Sequence, residues 1–156
     1  KFNQDPEFYK KFSELLEEVI ALYRQQRLSD ADYLDKVTEI MHNVQNKTGD
    51  DVPSPLINNE VAKAYYRKTR AIMQQHLGEQ YQELTSEVAL AIDTIIKQHL
   101  VVDWQYKADV QNKMKQAIDE YFFSLESEKG VSLPLEEVDS IIESSLQIAL
   151  HRPEYQ

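Results

Sequence analysis

The sequence predicts an all-α fold, one compact domain of about six amphipathic helices over residues 1–156 with no sheet, and three observations predict it. Glycine occurs only at Gly49, Gly78 and Gly130. The helix-favouring residues Ala, Leu, Glu, Gln, Lys and Ile dominate the chain. Apolar positions recur three and four residues apart, the period of one helix face, and nowhere alternate as a half-buried strand would. There is no internal repeat or low-complexity tract, and heptads are too short-lived for a coiled coil.

Phe8, Phe12, Leu15, Leu16, Val19, Ile20 and Tyr23 place a first helix from Pro6 to about Arg27, with Glu14, Glu17 and Glu18 on its other face. Ser29 opens the second, because its hydroxyl can accept from the N–H of Asp32 while that carboxylate reaches back. Tyr33, Leu34, Val37, Ile40, Met41 and Val44 form the second stripe, which Gly49 is expected to stop. Asp50-Asp51-Val52-Pro53-Ser54-Pro55 cannot continue a helix, since proline lacks a donor and pushes its predecessor out of the helical region. Residues 49–56 are therefore the one expected hinge. Asn58 or Asn59 caps a third helix to about Leu77, carrying Val61, Tyr65, Ile72 and Met73. A fourth runs from near Thr85 to Leu100 on Val88, Ile92, Ile95 and Ile96. Val101–Gln105 breaks the period, and a fifth helix follows through Val110, Met114, Ala117, Ile118, Tyr121, Phe122 and Leu125 to a stop at Gly130. Pro134, Glu136 and Glu137 suit the first turn of a sixth, with Val138, Ile141, Ile142 and Leu146 as its stripe.

Composition excludes several functions. The chain has 27 acidic and 17 basic residues, a formal net charge of -10, so its mean field repels phosphate and argues against wrapping nucleic acid. No run approaches the roughly twenty apolar residues of a membrane span. The opening Lys1-Phe2-Asn3-Gln4-Asp5-Pro6 reads as the start of a piece of a longer cytoplasmic chain. Without cysteine, neither disulfides nor thiolate chemistry is available.

Catalytic patterns are not legible. The glycines are isolated, so no phosphate loop forms and no nucleotide cofactor is expected. No Lys has Asp or Glu two positions before it, the pairing a metal-dependent nuclease presents. His42, His76, His99 and His151 stand on different helices without metal-ligand spacing. Glu17-Glu18 and Glu136-Glu137 are adjacent, and adjacent helical side chains point about 100° apart and cannot share a proton.

Two groups of cations stand out on so acidic a chain. Lys63, Arg67, Lys68 and Arg70 lie in the third helix, where positions 63, 67 and 70 share a face beside Tyr65 and Tyr66; they are candidate contacts to DNA or to an acidic partner, weighed against a solvated face paired to nearby Glu. Lys107 and Lys113, with Lys115, are a second candidate, diluted by Asp109 and Asp119. Trp104, beside Leu100-Val101-Val102, reads as a core anchor.

The run Phe8-Tyr9-Lys10-Lys11-Phe12-Ser13-Glu14-Leu15-Leu16-Glu17-Glu18-Val19-Ile20 resembles the C-terminal helical domain of the motor subunit of type I restriction-modification enzymes. So do Tyr33-Leu34-Asp35-Lys36-Val37-Thr38-Glu39-Ile40-Met41, the break at Pro53-Ser54-Pro55-Leu56, and Asp103-Trp104 before an amphipathic helix. The resemblance implies that the parent chain is an ATP-dependent, site-specific deoxyribonuclease whose nuclease and ATPase domains, with their ATP and Mg, lie upstream. It implies a tail that docks the motor onto the methyltransferase and specificity subunits, with double-stranded DNA as a secondary contact. Related tails carry a more basic helix after Asp-Trp than Lys113-Met114-Lys115-Gln116-Ala117-Ile118-Asp119-Glu120, which favours protein docking over DNA.

Two functions therefore compete. The first is a non-catalytic assembly domain, monomeric in isolation. The second is a self-contained regulatory or ligand-binding bundle with a pocket near Trp104, Tyr106 and Tyr121. An exposed apolar patch rimmed by charge favours the first, and an apolar pocket with convergent polar groups favours the second.

Overall fold

The structure, a computed structural model, describes residues 2–47 and 50–156. Among the described residues there are six α-helices and no strand: α1 (Pro6–Arg24), α2 (Asp30–Asn46), α3 (Glu60–Leu77), α4 (Tyr81–Gln98), α5 (Ala108–Lys129) and α6 (Leu135–Leu150), with short 3-10 turns between several of them. None is long and apolar enough to cross a membrane. Packing divides the chain into two compact units: Pro6–Asp51 with Phe2, and Val52–Gln156 with Asn3–Asp5.

The smaller unit is a helical hairpin of α1 and α2. α1 ends before the expected Arg27, because Gln26 turns left-handed (φ 58°). The Arg27 N–H then reaches the Leu22 carbonyl at 2.9 Å and the Gln26 N–H reaches that of Tyr23 at 3.0 Å, the paired bonds of a Schellman turn made without glycine. Ser29 caps α2 by accepting from the Asp32 N–H at 3.1 Å. Across the turn the Tyr23 and Tyr33 rings stack at 4.2 Å, and the Tyr23 hydroxyl donates to Asp30 at 2.6 Å. α1 buries Phe8, Phe12 and Val19, whereas α2 buries no residue. Lys47 closes α2 in the left-handed region; the stop expected at Gly49 lies outside the described residues, as does that end of the expected hinge.

In the larger unit α3 packs on α4, α4 on α5, α5 on α6 and α6 back on α3, so four helices close a ring around one core. Its centre includes Tyr65, Tyr66, Met73, Ile92, Ile96, Trp104, Met114, Ile118, Ile141 and Ile148, each at most 2% exposed. The Pro-rich break does not hang loose: Ser54–Leu56 forms a 3-10 turn and Leu56 is fully buried. Asn59 caps α3, its side-chain oxygen accepting from Ala62 N–H at 2.9 Å. α4 begins at Tyr81, ahead of the expected Thr85, because the 3-10 turn Gly78–Gln80 runs into it without a capping side chain. Gly130 (φ 67°) ends α5 in the left-handed region, and its N–H reaches the Glu126 carbonyl. This conformation strains an L side chain and is where glycine is needed.

Candidate functional site

α3 does not present its cations as an exposed stripe. Burial extends around most of α3, whose core side chains include Val61, Tyr65, Tyr66 and Met73, and it takes in two of the cations: Lys63 and Arg67 are only 9% and 3% exposed. The Arg67 guanidinium forms a buried ion pair with Asp5, both side chains almost fully enclosed. Lys63 turns to Glu60 at 2.8 Å. Lys68 is half-buried, and Arg70 stands 5.9 Å from the centre of the Tyr66 ring. The expectation that these positions are exposed is corrected at Lys63 and Arg67. An isolated guanidinium cannot be buried without a counterion, and Asp5 supplies one from 62 residues away.

Inside the same unit is a buried polar chain with no local sequence signature. The Tyr65 hydroxyl donates to the Tyr155 hydroxyl at 3.0 Å. Tyr155 donates to Asp93 Oδ1 at 2.6 Å. The other carboxylate oxygen accepts from Asn59 Nδ2 at 3.0 Å and pairs with Lys97 at 3.0 Å. Burial pushes the Asp93 carboxyl up, but the hydrogen bonds from Tyr155, Asn59 and Lys97 together outweigh it and hold it below its ordinary value. Burial, with Asp93 alongside, raises the phenols of Tyr65 and Tyr155 far above theirs. The cluster fastens the C-terminal turn Pro153–Tyr155 to α3 and α4. Trp104 joins this fastening, only 1% exposed and donating its indole N–H to the Tyr155 carbonyl at 2.9 Å. Arg152 adds a bond to the Gln4 carbonyl at 3.1 Å.

Trp104, Tyr106 and Tyr121 occupy different environments. Trp104 is core and Tyr106 is 87% exposed. Tyr121 is half-buried, its phenol pushed up to about 12 by burial and by Glu87 and Glu128. Lys107 and Lys113 are exposed at the start of α5, and Lys115 pairs with Glu143 at 2.9 Å. The four histidines are dispersed: His99 and His151 bond the carbonyls of Ile95 and Gln147 in their own helices, His42 meets Asn46, and His76 meets Glu137 at 2.5 Å. Among the described residues no three His, Asp or Glu side chains converge as a metal site.

An open groove of about 290 Å³ lies between the second half of α5 and the connection into α6. Phe122, Val131, Leu133 and Val138 line its floor, and Asp119 and Glu126 stand at it as carboxylates. Phe123 and Leu135 also line it while remaining 73% and 71% exposed. Helix periodicity explains Phe122, which faces the core; Phe123, one position on, is turned about 100° away and has no place in that core. This site was not anticipated from the sequence, where the signal that could have pointed to it is the adjacent pair Phe122-Phe123 followed by a second apolar cluster across Gly130.

Residues 3–127 match a protein-family model described as Type I restriction enzyme HindI endonuclease subunit-like, C-terminal. No curated protein and no solved structure matches the chain.

Proposed function

Because the chain belongs to the family of C-terminal domains of type I restriction enzyme HindI endonuclease subunit-like proteins, we propose that it is a non-catalytic assembly domain that docks an ATP-dependent DNA translocase and endonuclease onto its methyltransferase and specificity subunits. The observation that carries this reading, beyond family membership, is the apolar groove flanked by carboxylates between α5 and α6. Apolar surface left in water beside charge is the mark of a protein–protein contact. The ligand-binding alternative draws less support, since its aromatic residues are divided between core and solvent. Double-stranded DNA is a secondary contact in this proposal. Lys107 and Lys113 are its better-placed candidates, because Lys63 and Arg67 are committed to Glu60 and Asp5. The parent enzyme is assigned to the bacterial cytoplasm, and ATP and Mg to its upstream domains.

Deleting this segment from the parent subunit tests the proposal. The expected result is a truncated motor that retains ATPase activity but no longer co-purifies with the methyltransferase and binds DNA more weakly. Unimpaired assembly of the truncated subunit would overturn it.

A further inference from the structure

The groove between α5 and α6 has a chemistry specific enough to say what kind of partner fits it. Its floor is apolar, and Phe123 and Leu135 remain in solvent although each is large enough to be a core residue. Residues 119–138, which span its lining, contain six carboxylates, two of which, Asp119 and Glu126, line the groove, and one cation, Lys129, which does not. That cation is drawn off toward α4, where its ammonium meets Glu87 at 2.9 Å. Of the carboxylates, Glu137 is engaged by His76 at 2.5 Å, while Asp119 and Glu126 stand exposed at the groove itself. Apolar contact and a one-sided negative field thus coincide on one surface, and neither is needed by the core beneath. Acidic surface alone would attract any cation, and apolar surface alone would accept any hydrophobe. Together they select a segment that carries both features at helical spacing.

We propose that this groove is the docking site for a basic amphipathic helix of a partner protein, one that seats an apolar side chain between Phe123 and Leu135 and sets Lys or Arg against Asp119 and Glu126. The inference rests on the reading of the chain as an assembly domain and adds the surface and the chemistry of its partner. A nucleic acid is a poor occupant, because phosphates would face Asp119 and Glu126. A second copy of the chain would bring the same carboxylates against these, and like charges in register oppose such pairing.

The test is binding of three synthetic peptides to the full 156-residue chain, followed by fluorescence anisotropy. One carries Leu at positions i, i+3 and i+7 with Lys and Arg elsewhere, the second is a scramble of the same composition, and the third replaces its cations with Glu. Expected is saturable binding of the first, at least about tenfold weaker binding of the scramble, and none of the acidic peptide. Phe123→Ala combined with Leu135→Ala should weaken the first about tenfold. Asp119→Lys combined with Glu126→Lys should weaken it and flatten its salt dependence. Circular dichroism and melting temperature verify that these exposed substitutions leave the fold intact. Equal binding of the scramble, or binding unaffected by the Phe123/Leu135 pair, would overturn the proposal. So would concentration-dependent dimerisation of the wild type that the same pair abolishes, since the groove would then belong to a second copy. Should deletion of the whole segment block assembly while the groove variants bind the first peptide like wild type, the groove inference fails and the assembly function stands. Should deletion leave assembly intact, the function fails whatever the peptides do.

Discussion

The two units of the chain differ in how their helices are held, and the difference separates what is rigid from what opens. In Pro6–Asp51 two helices form a hairpin in which α1 buries three side chains and α2 buries none. Leu34 and Met41 of α2 are 64% and 65% exposed. Its order rests on local devices: the Ser29 cap, the Tyr23–Tyr33 stack and the Tyr23–Asp30 bond. In Val52–Gln156 the ring of four helices encloses a continuous core, and a buried polar chain ties Tyr155 at the C-terminus to Tyr65 and Asp93 in its middle. Helices of this length draw most of their stability from burial of an apolar face, so the larger unit is the thermodynamic foundation and α2 the element of least local stability.

The largest expected effect is at Trp104. Replacing this enclosed indole with Ala removes a large core side chain and leaves the Tyr155 carbonyl without its donor, so Trp104→Ala should cost about 3–5 kcal/mol by denaturant titration. A loss below about 1 kcal/mol, the size of a surface change, would show that the core does not depend on it.

Asp93→Asn is next. The new amide turns an NH2 toward Asn59 or Tyr155, where the carboxylate now accepts, and a loss of about 1–3 kcal/mol is expected at neutral pH. The sign of the pH dependence follows from the lowered folded-state pKa. The carboxylate stabilises the fold above its unfolded pKa, and the benefit disappears as pH falls below that and through the folded value. The difference between wild type and Asp93→Asn should therefore shrink in the acid range, and a pH-independent difference would contradict the account.

How much of this was legible in the sequence depends on range. The caps at Ser29 and Asn59 were legible because donor and acceptor lie three residues apart in each. The stripes of α4 and α6 were legible because the ring encloses one face of each helix. The end of α1 was not, since Gln26 takes a left-handed turn where glycine would have announced it. Nor was the fate of the α3 cations. Periodicity placed Lys63 and Arg67 on one face, but the counterion of the buried Arg67 is Asp5, remote in sequence, and no local pattern records that pairing, whereas Lys63 meets Glu60 three residues away. The groove escaped for a related reason: Phe122 and Phe123 are equally apolar, and only packing assigns one to the core and leaves the other in water.

Two smaller effects sharpen the contrast between the units. Native-state hydrogen exchange should show the α2 amides opening at the lowest free energy and those of α3, α4 and α6 at the highest; equal protection throughout would erase the distinction. Ser29→Ala should cost about 1 kcal/mol, read as faster exchange confined to the start of α2. Faster exchange in α3 or α4 as well would show that the cap does not act locally.

The central claim, that this domain works by docking, is tested most directly by mixing the isolated 156-residue chain with the purified methyltransferase and specificity complex in the analytical ultracentrifuge. Expected is a stoichiometric complex from which the intact motor subunit displaces the chain. A chain that sediments alone at every concentration, beside a motor subunit that binds normally in the same buffer, would contradict it.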